Sequence, residues 1–340
     1  MNELVREKCE LFVKNREVIH KKFAFEDNLL CLAGSLIFTL EGKEADAERL
    51  AECKKIFSKQ TGLFSKLRSM AELAVISKMT LSEDPEKFMG DLKTIYDKVR
   101  KTKFKEDPYM VLACLLICDL GVQEESDEII NRALEIMERM NKAHPFLTSS
   151  EDTVSVMLLA LSYKDVDTIM NELEEGYEYL KKTHKLKVSG NAAQNLCEIL
   201  AVSYGDIQTK CDKVVKIRKA FKNLKSDFGS EEELAAIASL VDTDMSPETL
   251  AAEIIEASEF LKSQKGFDAE SVSTRQRTMY VTLLVADVYG KGSSIMSGPA
   301  ISNTFSIITT KRIVNAISIV INLASGVIPA FIGDNDQSNS

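Results

Sequence analysis

A long-range periodicity constrains the fold of this 340-residue chain more than any other feature. Single large apolar side chains stand in polar, turn-like stretches such as KSDFGSEEE, and they recur at steps of 40, 42, 40, 42 and 39 residues. We call them the marker residues: Phe64, Phe104, Phe146, Leu186, Phe228 and Phe267. A near-constant period of this length is the signature of a repeat architecture in which each unit is one supersecondary motif.

Two helical patterns fill each interval. The first is short and apolar, and we call these seven segments the A helices: LLCLAGSLIFTL, MAELAVISKM, MVLACLLICDL, VSVMLLALS, AAQNLCEILAV, ELAAIASLV and TMYVTLLVADVY. The second is longer and apolar on one face, as where Phe88, Leu92, Ile95 and Val99 recur every three or four residues, and we call these the B helices. Each interval is therefore predicted to form an αα-hairpin.

The ends of the B helices carry cap signals. Asp84 and Ser246 each precede a proline, which is the pattern of an N-cap followed by the first helical residue. Gly62 and Gly266 follow B helices closely, so we expect both to form left-handed C-terminal caps. Each marker residue is then expected to fold back onto the last helical turn and to be buried between neighbouring hairpins.

The spacing predicts an all-α fold: an αα-hairpin repeat solenoid, HEAT-like or unclassified, with a period of about 40 residues. Residues 1–290 are expected to form about six to seven hairpins, because no linker rich in Pro, Gly or Ser interrupts the spacing. Residues 291–333 are expected to form an apolar C-terminal helical cap, and residues 334–340 a polar tail. Stacking buries the A helices, which a single hairpin exposes.

Composition excludes several classes of function. Hydrophobic residues make up 45% of the chain and charged residues 28%, which is typical of a globular protein. The net charge of −9, with no basic block, disfavours nucleic acid as a partner. The seven cysteines are scattered among apolar residues, as expected for reduced thiols in a cytoplasmic protein, and the charged N-terminus lacks the apolar core of a signal peptide.

The C-terminal region differs from the rest, because residues 313–333 contain no charge. This length could cross a bilayer, which needs about 20 apolar residues. Asn315, Ser318, Asn322 and Ser325 nevertheless form a polar stripe, and buried asparagines are costly in lipid. We expect the segment to pack as a helix on the last A helix; the alternatives are membrane contact and a homodimer interface.

No constellation of catalytic residues stands out. Cys114 and Cys118 lie one turn apart, but their helix is apolar on all sides and no histidine is near enough to complete a zinc site. His144 and His184 occupy similar positions near the ends of B helices, which indicates a structural role. The sequence therefore predicts no cofactor, no metal and no catalytic residue, and it leaves enzymatic activity uncertain.

One feature does indicate a binding surface. Lysines cluster at the ends of successive B helices, and parallel B helices would align them along one rim. We call this set the basic rim: Lys101, Lys103, Lys142, Lys182, Lys185, Lys225 and Lys265. The rim could bind an acidic peptide or protein, although compensation of the helix dipoles also explains cations at these positions.

The chain resembles a bacterial family of uncharacterised proteins, domain of unknown function 4003, in its opening FVKNREVIHKKFAFEDNLLCLAGSLIF, its MAELAVISKM helix and its apolar C-terminus. The resemblance implies a bacterial origin and brings no catalytic residues. We therefore expect a non-enzymatic helical-repeat scaffold that binds a protein or peptide. The alternatives are an enzyme with a cleft in an αα-repeat fold and a membrane-associated protein anchored by residues 313–333.

Overall fold

The computed structural model of the chain describes residues 1–62, 65–162, 164–202, 205–226, 228–229, 233–290 and residue 317. Within these residues the fold is all-helical, with fourteen α-helices and no β-strand, as predicted. The odd-numbered helices are the B helices: α1 (Glu3–Lys22), α3 (Ala47–Gln60), α5 (Pro85–Val99), α7 (Ser126–Ala143), α9 (Val166–Glu178), α11 (Ile207–Asn223) and α13 (Pro247–Lys262). The even-numbered helices are the A helices: α2 (Asn28–Leu40), α4 (Glu72–Leu81), α6 (Pro108–Asp119), α8 (Thr153–Leu161), α10 (Gly190–Val202), α12 (Leu234–Ala238) and α14 (Thr274–Tyr289).

The predicted N-caps are present. The side chain of Asp84 accepts a hydrogen bond from the Lys87 backbone N–H at 2.9 Å, and that of Ser246 accepts one from the Thr249 N–H at 3.1 Å. Gly266 has the expected left-handed backbone, with φ of +83°. The prediction for Gly62 is wrong, because α3 instead ends at Thr61 in an extended conformation, where the Thr61 hydroxyl donates to the Phe57 carbonyl.

Four of the six marker residues are buried as predicted. Phe104, Leu186, Phe228 and Phe267 are 8%, 7%, 2% and 0% exposed. Phe64 lies outside the described residues. The prediction for Phe146 is wrong, because its side chain is 96% exposed. Its neighbour Leu147 turns inward instead and packs against the backbone at Gly190, where a Cβ atom would lie 2.9 Å from Leu147 Cδ2. In the connection between α7 and α8, the packing position is therefore shifted by one residue.

The helices form two layers. B helices keep one face in water, as in α5, where Met89, Leu92, Ile95, Tyr96 and Val99 are buried and the intervening residues are exposed or half-buried. The A helices lie inside them and are buried on all sides. Within the inner layer, contacts join α2 with α4, α6 with α8, α8 with α10, α10 with α12, and α12 with α14.

An ion-pair network links the remaining inner neighbours, α4 and α6. Lys78 on α4 is 4% exposed, and its ammonium lies 2.8 Å from a carboxylate oxygen of Asp119 on α6. It also lies 2.9 Å from Glu41, the residue that follows α2. The two carboxylates outweigh the burial of Lys78 and raise its pKa, so the lysine stays charged at this junction.

The two ends of the described chain contact each other. Helix α1 packs against α13 and α14, and α14 packs against α2. The ring of Phe12 on α1 lies 5.2 Å from that of Phe267 and 5.4 Å from that of Tyr280, measured between centroids. The Tyr280 hydroxyl donates to the Leu29 carbonyl at 3.2 Å. We call this contact the closing seam. The predicted solenoid is not confirmed, since a solenoid leaves its first and last units apart.

Replacing Phe228 by alanine should lower the free energy of unfolding by about 3–5 kcal/mol, because a large buried side chain is lost. Its ring packs edge-on against Phe221, with centroids 5.1 Å apart. Phe146→Ala is the matched control and should change stability by less than about 0.5 kcal/mol. Urea unfolding measures both. Equal effects of the two substitutions would contradict the assignment of Phe228 to the core.

The closing seam is tested by a double-mutant cycle on Phe12 and Phe267. We expect a coupling energy of about 0.5–1.5 kcal/mol, the usual value for an aromatic pair in contact. The control cycle pairs Phe12→Ala with Phe221→Ala, which contacts Phe228 elsewhere in the core, and should be additive. Additivity of the Phe12 and Phe267 substitutions would show that the two ends of the chain do not meet.

Candidate functional site

A buried polar cluster lies between α8 and α10. Glu198 sits in the middle of α10 and is 0% exposed, and Gln194 lies one turn earlier and is 8% exposed. The Gln194 side-chain N–H donates to the Glu198 carboxyl at 3.0 Å, and the Ser155 hydroxyl on α8 hydrogen-bonds the same carboxyl. Asp152, at the end of the short 3₁₀ helix before α8, is the nearby acid. We call these four residues the α8–α10 cluster.

The two acids of this cluster have raised pKa values. Burial raises the pKa of Glu198 to about 7, although the hydrogen bonds from Gln194 and Ser155 act in the opposite direction. Burial also raises the pKa of Asp152 well above its ordinary value, and the neighbouring charge of Glu198 raises it further. The Ser149 backbone N–H, which donates to Asp152 at 2.7 Å, opposes this rise. Near neutral pH the pair therefore retains a proton.

Two other buried charged residues of the A helices have partners for their charged groups. Lys78 has two carboxylate partners. Arg277 on α14 is 0% exposed and donates to the carbonyls of Ser258, Phe267 and Val272 at 2.8–3.2 Å. Within the described part of the chain, by contrast, one carboxyl oxygen of Glu198 has no hydrogen-bond partner. Glu198 is therefore the charged core residue whose environment most favours its neutral form.

A small cavity adjoins this cluster between α7, α9 and α10. Its volume of about 20 Å³ has room for a single water molecule. Its lining residues are Met140, His144, Met170, Leu173, Glu174, Tyr177, Gln194 and Cys197. At the mouth, His144 Nε2 lies 2.8 Å from a carboxylate oxygen of Glu174. Gln194 is the member of the α8–α10 cluster that lines this cavity, and an organic substrate does not fit in it.

Each of the two histidines near the ends of B helices contacts an acidic residue of the next B helix. His144 follows α7 and contacts Glu174 on α9, and His184, close after α9, lies 2.7 Å from Asp212 on α11. Each histidine thus links the end of one B helix to the next. Cys114 and Cys118 are buried free thiols, and burial raises the pKa of both. In the described ranges, no group of three or more His, Cys, Asp or Glu is arranged to hold a metal.

The seven lysines of the basic rim are all exposed and lie in, or just after, the final turns of B helices. Lys185 and Lys225 occupy left-handed backbone positions, with φ of 48° and 61°, so each serves as a C-terminal cap. Lys182 pairs with Glu178 one turn earlier. The rim residues are thus accessible to solvent, while the α8–α10 cluster is largely enclosed.

Three exposed apolar side chains accompany the lysines. They are Phe25, between α1 and α2, Phe146, between α7 and α8, and Leu224, which directly precedes Lys225. All three lie in connections that lead from a B helix to an A helix, as the rim lysines do apart from Lys142, which lies in the last turn of α7. We call the surface formed by these connections the basic end. The sequence patterns gave no sign of Phe25, and they assigned Phe146 to the core and Leu224 to the apolar face of its B helix; both of these assignments are wrong.

The α8–α10 cluster was also missed, although α10 carries a signal for it. Glu198 is the one charged residue in the stretch AAQNLCEILAV, which is otherwise apolar or small. An acid at such a position must be protonated, paired or hydrogen-bonded. No comparable signal exists for Asp152, because acids are common next to the first turn of a helix.

The predicted C-terminal cap and polar tail lie outside the described residues, apart from residue 317. The described helices include none that combines the length and the apolar character needed to cross a membrane. Membrane contact through residues 313–333 therefore stays a prediction, as does a homodimer formed through them.

The architecture defines an all-helical protein of paired helices in two layers. A family model described as protein of unknown function (DUF4003) matches residues 15–321. The chain therefore belongs to the DUF4003 family, which confirms the resemblance noted in the sequence. No curated protein and no solved structure matches it.

Glu198→Gln should stabilise the protein at alkaline pH and not at acid pH. In the folded state Glu198 keeps its proton up to about pH 7, whereas in the unfolded state it loses the proton near its ordinary pKa of 4.5. This difference stabilises the folded state fully below pH 4.5, and the stabilisation is lost as the pH rises through 7. The free energy of unfolding of the wild type falls by roughly 3 kcal/mol as a result. Urea unfolding at pH 4.5 and pH 8 measures the difference between the variant and the wild type.

The control for this experiment is Glu138→Gln, which removes a charge from an exposed position on α7. It accounts for any general effect of a smaller negative charge. An advantage of Glu198→Gln that is the same at both pH values would contradict the raised pKa of Glu198.

Proposed function

We propose that the protein is a non-enzymatic scaffold of repeated helical hairpins that binds a partner protein through its basic end. The observation that carries the proposal is the position of its exposed apolar side chains. Of the four large apolar residues that are exposed in the described part of the chain, Phe25, Phe146 and Leu224 lie in the connections that form the basic end. The fourth, Leu4, lies at the start of α1.

A recurring charged position on the B helices supports the repeat. It occurs at intervals of 40 to 42 residues, at Lys8, Arg49, Asp91, Arg132, Glu172, Lys213 and Glu253. Lys8, Arg49 and Lys213 donate to carbonyls at or beyond the C-terminal ends of α2, α4 and α12. The three acids of this set accept hydrogen bonds from side chains instead. The donors lie just after α6 and α8 and at the end of α14: Gln123 for Asp91, Lys164 for Glu172 and Tyr289 for Glu253. Six of these seven side chains thus contact the C-terminal end of an adjacent A helix or the connection that follows it, although donor and acceptor roles differ between them.

The chemistry of the basic end favours an acidic peptide segment with apolar side chains. Solvated lysines attract carboxylates over a long range, which raises association rates and selects the sign of the partner's charge. Exposed phenylalanine supplies apolar area at a low cost in conformational entropy, and aromatic residues are enriched at interfaces. The whole chain carries a net charge of −9, so this attraction is local to the basic end.

The enzymatic alternative would use Asp152 and Glu198, whose raised pKa values suit proton transfer. The adjoining cavity of about 20 Å³ admits water and no larger reactant. We therefore prefer the scaffold. The membrane-associated alternative depends on residues 313–333, most of which lie outside the described part of the chain.

A peptide-display selection against the immobilised protein tests this proposal. We expect enrichment of peptides rich in Asp and Glu that also contain Phe, Leu or Tyr. Their binding should weaken at least about tenfold between low and physiological salt, because screening removes the long-range attraction. The double variant Phe25→Ser/Phe146→Ser should weaken it by a further factor of at least about ten, since two apolar anchors are lost.

The matched control is Leu4→Ser, which removes an exposed apolar side chain outside the basic end. It should leave peptide binding unchanged. The proposal is wrong if no peptide class is enriched, or if the enriched peptides bind the double variant and the wild type equally well.

A further inference from the structure

A buried arginine on α1 has few partners for its charge. Arg16 is 8% exposed, and its Nη2 amino group donates to the side-chain oxygen of Asn28 at 2.9 Å. Its Nε–H group is buried without an acceptor, and no carboxylate of the described residues forms an ion pair with it. Arg277, by contrast, donates to three carbonyls. Because a buried charge is costly unless it is paired, Arg16 lacks part of the compensation that the rest of the core provides.

Gly266 fixes the position of this guanidinium. A Cβ atom at residue 266 would lie 2.1 Å from Arg16 Cζ, so the guanidinium packs directly against the glycine backbone. Asn28, its hydrogen-bond partner, also donates to the Ser271 carbonyl at 3.2 Å. The Nη1 amino group of Arg16 forms no hydrogen bond and is not fully buried, so solvent reaches this edge. A fixed, planar donor with one edge in solvent suits the binding of a carboxylate, since little side-chain freedom is lost.

Two further basic side chains lie close to this guanidinium. His20 lies one turn after Arg16 on α1, and Lys265 directly precedes the glycine that contacts the guanidinium. Burial lowers the pKa of His20, and the charges of Arg16 and Lys265 lower it further. Lys21 lowers the pKa of Glu17, and Lys265 and Arg16 contribute in the same direction. A base and an acid thus both respond to the positive potential of the Arg16 cluster, which is our name for Arg16, His20 and Lys265.

Three acids in the adjoining segments are engaged with other groups. Glu17 pairs with Lys21, with 2.8 Å between the carboxylate and the ammonium. Asp27 accepts a hydrogen bond from a backbone N–H at 2.8 Å as the N-cap of α2. Asp268 accepts hydrogen bonds from the Ser271 hydroxyl and from backbone N–H groups of its own turn. These acids therefore do not neutralise the Arg16 cluster.

The Arg16 cluster belongs to the basic end. His20 lies in the last turn of α1, and Lys265 is one of the lysines of the basic rim. The connection that follows α1 carries Phe25, which is fully exposed and stands five residues after His20. Basic groups and an apolar side chain are thus available to a partner within one short stretch of the chain.

We propose that the Arg16 cluster binds a carboxylate group of the partner, with Arg16 as the main donor and Lys265 and His20 beside it. This assignment rests on the proposed function, because the carboxylate belongs to the acidic segment that the basic end binds. Arginine suits the role, since its planar N–H groups form paired, charge-assisted hydrogen bonds with a carboxylate. The bound group supplies the negative charge that the described residues do not provide at this point.

Fluorescence anisotropy of the full-length protein tests this site with two labelled peptides. The acidic probe alternates glutamate with phenylalanine, and the neutral probe has glutamine in place of glutamate. We expect Arg16→Gln to weaken binding of the acidic probe about 10- to 100-fold, since hydrogen bonds between charged groups are strong. Lys265→Gln should weaken it less than about fivefold, as for an exposed ion pair. The matched control, Arg6→Gln, removes an exposed arginine near the start of α1 and should leave the affinity unchanged.

An NMR titration of the wild-type protein covers the case in which Arg16→Gln does not fold. The Nε–H signal of Arg16, assigned through its proximity to Gly266, is followed as succinate is added to one sample and the acidic probe to another. We expect this signal to shift with both additions. The signal of Arg277, which is 0% exposed and bonded to carbonyls, should stay in place.

Several results would overturn the assignment. One is a folded Arg16→Gln variant that binds the acidic probe as tightly as the wild type; if Phe25→Ser/Phe146→Ser still weakens binding, the proposed function stands without this site. Equal binding of the acidic and neutral probes is another, and so is an Arg16 signal that moves with neither addition. A shift with succinate, without binding of the acidic probe, would support a carboxylate site but reject an acidic peptide as its ligand, and the proposed function with it.

Discussion

The fold depends on the closing seam between α1 and the last hairpin. Each A helix is too apolar to face water, so a linear stack would expose one at either end. Contact of α1 and α2 with α13 and α14 removes both ends at once. The seam is therefore part of the hydrophobic core, where the ring of Phe12 contacts the rings of Phe267 and Tyr280. Closure also fixes the number of hairpins, because an added or missing unit would separate these side chains.

Charges inside the inner layer follow the same constraint. A charged group in the A layer has no access to bulk water, so it must find partners among the ends of neighbouring helices. Lys78 does so where α2, α4 and α6 meet, and Arg277 does so with three backbone carbonyls. Glu198 meets Asp152, which carries the same charge, and the pair responds by holding a proton. The inner layer thus tolerates an acid by keeping it neutral.

The sequence predicts local structure well because local structure depends on neighbours in the chain. The A and B helices, the caps at Asp84 and Ser246 and the burial of Phe228 all follow from periodicity and cap chemistry. Closure does not follow, because it depends on small rotations between hairpins that accumulate around the ring. Leu147 takes the packing position that the sequence predicts for Phe146, because of the geometry of the connection between α7 and α8. The Asp152–Glu198 pair joins residues 46 positions apart on different helices, which no local pattern reveals.

The contact between the first and last hairpins limits where a partner could bind. An open solenoid offers a concave groove, whereas hairpins whose first and last units meet offer their outer wall and their two ends to a partner. The outer wall consists of the polar faces of B helices, which carry many ion pairs between neighbouring turns. The ends consist of connections, whose side chains are free of the helical packing that restricts the walls. Exposed phenylalanines at one end are the apolar side chains most accessible to a partner, which is why the proposed binding surface is the basic end.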